Sequence, residues 1–471
     1  MVVEMKRTWA LLALTGTALG GCNMAPAYHP AQVPVPEHFA ETPGWQQAVP
    51  MDGEARGTWW EAFNDPQLNA LEVQAEKASP TLAAALARYD AATAAARVSS
   101  AALLPEVAAT GSAQRTRVSA DRPSSTGRAQ TYDLYSVGGT FSYELDFWGR
   151  VRNSVRAARA EAAASGGDLA SARLSLQAQV ADAYVRLRGL DGQVKFLRDT
   201  VVTYQRAWQL NHDRHEGGDA SAVDENRALT QLAAAKAQVA ATQALRAATE
   251  HEIAAAVGEV ASTFHIGPDA GAMAMPAIPA STPAQLLQRR PDIAAAERRM
   301  FEANAQIGVA RAAQFPTVML GGSGGWLTTG GGALLSEPDT VWALGPLAAT
   351  LPVFDAGKRR AQVHQARAQF EGAAASYRGT VIAAFQQVED ALSNGRNYAD
   401  EAREQTVAAQ AAMRTADLAM IRYRDGATDY LEVATAQADA LNAERTRIIV
   451  ETQRRQASIA LVKAMGGEVP R

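Results

Sequence analysis

The longest pattern in the chain is an apolar seam that advances in alternating steps of three and four residues. It runs through Val180, Ala183, Leu187, Leu190, Val194, Leu197, Val201, Tyr204 and Trp208, the spacing that puts one apolar stripe along a coiled-coil helix. No proline falls between Pro123 and Pro268. One helix is therefore expected from about Val151 to Arg214, roughly 95 Å long at 1.5 Å per residue. A helix of that length needs neighbours along all of it.

Between Pro105 and Phe147 the helical period gives way to strict alternation. Tyr135, Val137, Phe141, Tyr143 and Leu145 alternate with Leu134, Ser136, Gly138, Thr140, Ser142 and Glu144. One face is apolar and aromatic and the other small and mostly polar, as in a barrel strand with lipid outside and water inside. A weaker partner is expected over about Val107 to Arg117, joined to the first by a polar loop from Ser119 to Gln130.

The whole arrangement occurs twice. Pro80 and Pro105 recur as Pro291 and Pro316, each 211 residues on. Val180-Ala181-Asp182-Ala183, Arg214, Gly218 and Gly258 recur as Val388-Glu389-Asp390-Ala391, Arg422, Gly426 and Gly466, each 208 residues on. A register held this far marks a duplicated structural unit that has lost three residues between the strands and the long helix. The second copy has strands over about Val318 to Trp326 and Val341 to Leu351. The expected organisation is a leader at 1–21, a tether at 22–58, a first repeat at 59–258, a connector at 259–289, a second repeat at 290–467 and a tail at 468–471. The fold class is mainly α with a small β part. Four strands do not close a transmembrane barrel, and open sheet edges are not tolerated in lipid. Either the chain oligomerises or the strands lie outside a membrane.

Composition narrows the chemistry. The net charge of −4 offers no basic field for nucleic acid. The single cysteine excludes a disulfide framework. Lys6 and Arg7 precede a short apolar run, Trp9 to Leu19, and then Leu19-Gly20-Gly21-Cys22. The run is too short to span a bilayer and reads as a secretory signal. Its end resembles a bacterial lipobox, which implies cleavage before Cys22, a diacylglycerol and an N-acyl chain on Cys22 as the only covalent additions, and, with Asn23 following, delivery to the outer membrane.

Each long helix ends in a polar turn, Arg214 to Ser221 and Arg422 to Asp429, with glycine to stop one helix and Ser221 or Thr428 to cap the next. His212 and His215 lack a clear third metal ligand and read as a solvated pair. The glycine clusters at 321–325 and 330–332 lack the lysine and hydroxyl of a phosphate loop. No catalytic motif stands out, so no enzyme and no other cofactor are expected.

Leu287-Gln288-Arg289-Arg290-Pro291-Asp292-Ile293, Ala312-Ala313-Gln314-Phe315-Pro316, Tyr143 to Arg150, Gly345-Pro346 and Leu351 to Gly357 resemble the TolC-type outer-membrane efflux channels, in their lipidated OprM/NodT-like branch. The resemblance implies a homotrimer whose 12 strands close one barrel and whose helices form a periplasmic tunnel. It implies the outer-membrane component of a tripartite efflux system exporting drugs or other small molecules, with a periplasmic adaptor and an inner-membrane RND pump as partners. A type I secretion channel, a periplasmic adaptor and a structural coiled-coil lipoprotein are the alternatives. It also implies a gate at the hairpin turns, formed here by Asp224, Tyr423, Asp425, Asp429 and Glu432. Glu432 is the expected member of an acidic ring selecting cations, and Asp224 and Tyr423 are expected to bond across the hairpins. Thr435 stands where the family often has a further acid.

Overall fold

The computed structural model describes residues 23–31, 57–121, 127–271, 273–275, 289–329 and 339–467. A 3-10 turn at Trp59–Phe63 leads into α1 (Pro66–Ala78) and α2 (Pro80–Ala101). Then come β1 (Glu106–Val118), β2 (Gln130–Leu145), α3 (Arg150–Glu216) and α4 (Ala222–Ala256). The order recurs as α5 (Pro291–Ala312), β3 (Thr317–Thr328), β4 (Thr340–Thr350), α6 (Lys358–Arg424) and α7 (Tyr430–Ala464). Helix lengths pair off: 22 residues in α2 and α5, 67 in α3 and α6, 35 in α4 and α7. The repeats differ at the strands, where β2 has 16 residues and β4 has 11.

Local chemistry sets the ends of these elements. Gly218 and Gly426 follow the two long helices with φ of 83° and 71°, the left-handed turn that stops a helix without a Cβ penalty. Ser221 caps α4 by accepting from the Asp224 amide. The cap of α7 is Asp429, which accepts from the Glu432 amide at 3.1 Å. Thr428, the expected cap, instead donates its hydroxyl to the Glu432 carboxylate. Asp429 stands directly before Tyr430 at the N-cap position, so its carboxylate, and not the Thr428 hydroxyl one residue earlier, meets the free amide three residues on.

The chain forms two compact units, each drawing on both repeats. One comprises residues 1–31, 89–165 and 296–377, and the other 32–88, 166–295 and 378–471. The first unit holds the four strands with the adjoining helix segments. It also holds residues 23–31, expected as part of a tether. These lie against α3 and α5, where Asn304 donates to the Pro26 carbonyl at 3.0 Å.

In the second unit the seam of α3 is core: Val180, Ala183, Leu187, Leu190, Val194, Leu197 and Tyr204 are all buried. Trp59, Trp60, Phe63 and Leu68 pack with Tyr184, Leu187 and Ile253 in its largest cluster. The early connector is pinned by charge. Buried Asp191 accepts from Arg246 Nε at 2.6 Å, Arg188 Nη1 at 2.9 Å and the Asp269 amide at 3.0 Å. Glu250 takes a second Arg246 nitrogen at 2.8 Å and the Ile266 amide at 2.5 Å. Breaking such a network by removing one partner costs several kcal/mol.

Candidate functional site

The strands form one antiparallel meander in the order β1-β2-β3-β4. Pairing Val107 with Phe141, Phe141 with Gly322 and Gly322 with Leu344 places residues of one parity on a common face. That face carries Val107, Val137, Phe141, Tyr143, Leu320, Trp326, Trp342, Leu344 and Leu347, and much of it is bare: Trp342 is 80% exposed and Leu344 77%. The other face carries Ser136, Thr140, Ser142 and Ser323, and Ser112 and Ser136 share a hydrogen bond of 2.8 Å across β1 and β2. A β-bulge between Leu320 and Gly322 accommodates Pro346, which has no amide to give to the ladder. Strands of 11 to 16 residues are long enough to cross a bilayer core. Among the described residues β1 and β4 pair on one side only, so the sheet has two open edges.

The turns of the two helical hairpins lie in the second unit and pack on each other. Ala207, Ala228, Ala419, Tyr423, Tyr430, Val433 and Ala436 form one buried cluster. The Tyr423 hydroxyl does not reach Asp224. It donates to Asn211 Oδ1 at 2.6 Å, and Asn211 is itself fully buried. Asp224 is held within its own hairpin, accepting from the Ser221 hydroxyl at 2.8 Å and facing Arg227 at 3.5 Å. A carboxylate at that helix start is satisfied locally, so the buried amide is Tyr423's partner.

Arg214 makes another link between the hairpins. Its guanidinium lies 4.9 Å from the Tyr423 ring centroid and donates to the carbonyls of Tyr423 at 3.4 Å and Arg424 at 3.2 Å. A cation there meets the negative end of α6. Tyr430 stacks edge-on to Tyr423 at 5.4 Å and donates to Gln231 Oε1 at 3.1 Å, while Gln231 donates to the Ala434 carbonyl at 2.7 Å. Glu432 is exposed but paired, accepting from Arg422 Nη1 at 2.7 Å. Asp425 and Asp429 are exposed in the second turn.

The histidines are engaged rather than merely solvated. His212 Nδ1 lies 2.8 Å from Glu225 Oε1, its Nε2 lies 3.6 Å from Glu216, and its ring stacks on Trp208 at 5.4 Å. The bond to Glu225 raises its pKa above the ordinary value, against a smaller opposing effect of desolvation, and the Glu216, Glu225 and Asp213 charges add to the rise. Sequence reading missed Asn211, Arg214, Tyr430 and Gln231. Asn211 had a signal: it stands three residues past Trp208, the next position of the apolar seam, where a buried amide specifies register.

These features can be set beside known proteins. The sequence model of the family described as outer membrane efflux protein matches residues 71–259 and 282–467. The chain belongs to that family. Among outer membrane efflux proteins, the probable efflux pump outer membrane protein TtgC of Pseudomonas putida KT2440 is 32% identical over 470 residues, spanning 98% of this chain and 96% of the relative. Outer membrane protein OprJ of Pseudomonas aeruginosa PAO1 is 31% identical over 460 residues, spanning 97% and 94%. The solved outer-membrane channel OprN superposes with a TM-score of 0.86 at 30% identity, covering 95% of this chain and 99% of that one. VceC of Vibrio cholerae superposes at 0.81 with 27% identity, covering 89% and 100%. The protein is an outer-membrane efflux channel, mainly helical with a four-stranded sheet.

Proposed function

We propose that this efflux channel works as a homotrimer whose three sheets join edge to edge into a 12-stranded barrel. The observation that carries the proposal is the sheet itself, with an exposed apolar face, a polar face and two open edges. Unpaired backbone in hydrocarbon costs several kcal/mol per group, so edges β1 and β4 need partners, and further copies of the chain supply them. The channel serves a tripartite system with a periplasmic adaptor and an inner-membrane RND pump, and it passes small organic molecules. Relatives are named for efflux of toluene and of antibiotics and for export of pyoverdine. The paired hairpin turns around Tyr423 and Asn211 form its gate, and Cys22, which lies outside the described residues, carries the lipid anchor.

Reconstitution into planar bilayers with native mass spectrometry of the same preparation tests this. Trimers that conduct are expected. A monomer with full conductance, or trimers that never conduct, overturns the assembly proposed here. Palmitate labelling of the parent chain, lost in Cys22→Ser, tests the anchor separately.

A further inference from the structure

The residues that follow Cys22 occupy a shaped seat. Along α5, Glu297, Phe301, Asn304, Gly308 and Arg311 recur in steps of four and three, one stripe of a helix. Residues 24–28 run antiparallel along that stripe. Arg311 Nη1 donates to the Met24 carbonyl at 3.4 Å, and Asn304 Nδ2 donates to the Pro26 carbonyl at 3.0 Å. Tyr28 packs edge-on to Phe301 at 5.0 Å and donates its hydroxyl to the Glu297 carbonyl at 3.5 Å. Gly308 leaves the necessary room: a Cβ there would stand 2.8 Å from the Ala25 amide nitrogen and 2.5 Å from Asn153 Nδ2. Asn153, fully buried at the start of α3, donates Nδ2 to Asn23 Oδ1 at 2.9 Å.

The duplication shows that this seat is specific to one repeat. At the matching positions of α2 the chain has Leu86, Asp90, Thr93, Arg97 and Ser100, and Asn153 is matched by Ala361. The combination of Phe301, Asn304 and Gly308 on α5 with Asn153 on α3 thus stands in one copy only. It also lies close to the sheet along the chain, since β2 ends at Leu145 and β3 begins at Thr317.

We propose that residues 23–31 are a strap and that this seam of α5, locked by the Asn23–Asn153 bond, is its binding site. The strap holds the lipid-bearing N-terminus at the foot of the sheet, so that acyl chains and strands enter the same leaflet together. Asn153, Asn304 and Gly308 are positioning residues for the anchor. The proposal rests on the reading of Cys22 as lipidated, since a group on Cys22 is one peptide bond from Asn23.

The seat is tested by cysteine crosslinking in the full chain. Tyr28→Cys with Phe301→Cys, two positions whose parent rings touch, is expected to be bridged by a short bis-maleimide, while Tyr28→Cys with Asp90→Cys, the matching site on α2, is not; equal yields overturn the seat. Its role is tested with Asn153→Ala and Gly308→Arg, which install residues the other repeat already carries, and with Asn23→Ala, which breaks the same bond without touching a helix. Palmitate labelling equal to the parent is expected in all three. The amides of residues 24, 25, 27 and 28 should exchange about fivefold faster in Asn153→Ala, the effect of losing the bond to Asn23, and faster still in Asn23→Ala, which also removes the acceptor of the Ala25 amide; conducting channels per labelled chain should fall in both. Parent-level exchange and channel number in labelled variants overturn the strap. A parent chain that never takes palmitate overturns the lipid reading instead and leaves the crosslinking result to decide the seat.

Discussion

Tyr423 and Asn211 stand 212 residues apart in sequence and share a buried hydrogen bond of 2.6 Å. It joins the second hairpin to the first. Tyr423→Phe keeps the ring in its cluster but leaves the Asn211 oxygen buried without that donor, which costs about 1–3 kcal/mol. In the gate proposed above, the packed arrangement of the turns should lose that much, and single-channel recording should show more frequent or larger openings. Asp224→Ala should behave differently. It removes a local helix-start contact worth about 1 kcal/mol and should leave conductance near that of the parent. Equal effects of the two substitutions would contradict the pairing seen here.

Arg422 and Glu432 make a second prediction. The guanidinium offsets a carboxylate that otherwise would face the turn as bare charge. The pair is about half exposed and so adds little stability, but in the gate proposed above its charge balance would act on passing ions. Arg422→Ala should increase cation preference and Glu432→Ala should reduce it, read as opposite shifts of reversal potential in a salt gradient. Shifts of the same sign would exclude Glu432 from the ion path.

How much of this was legible beforehand depended on the range of the interaction. The helix pairs were written in local periodicity and in the spacings of 211 and 208 residues, and β2 in its alternation of Tyr135, Val137, Phe141 and Tyr143. The helix stops were legible because Gly218 and Gly426 serve a backbone geometry that needs no distant partner. The hairpin contacts were not. Tyr423 had several polar residues within reach by sequence, and only packing made Asn211 the buried one. The seat of residues 23–31 was hidden for a similar reason: its partners lie on α5, some 270 to 290 residues on in the chain, and proline-rich sequence alone reads as a tether. Glu432 looked like free charge because its restraint by Arg422 crosses the turn.

His212 should make the first hairpin pH-sensitive. Its folded pKa lies above the ordinary histidine value, chiefly through the bond to Glu225. The groups around it are Glu216, Asp213 and His215 on α3 and Glu225 on α4. A group with a raised folded pKa contributes stability fully present below its unfolded value, about 6.5, and lost as pH rises through the folded one. The parent should therefore exceed His212→Gln in thermal midpoint at about pH 5.5, and the gap should close toward about pH 8.5. A gap that widens with pH would reverse the assignment.

Glu72 carries the last prediction. It sits on α1 among Leu68, Leu71 and Ala75, fully buried, with neither carboxylate oxygen hydrogen-bonded. Burial, reinforced by the neighbouring Glu76 charge, pushes its pKa up to about 9. The carboxyl is therefore neutral in the folded protein at pH 7, while the unfolded chain ionises it near 4.5. Between those values the unfolded state has lost a proton that the folded state keeps, so stability falls as pH rises, by about 3 kcal/mol at pH 7 relative to acid. Glu72→Met fills similar volume without a titrating group. It should exceed the parent in thermal midpoint already near about pH 5, because the neutral carboxyl is buried without partners, and by a widening margin toward about pH 8.5. Parallel midpoint curves for parent and variant across that range would show that Glu72 is not the buried neutral acid described here.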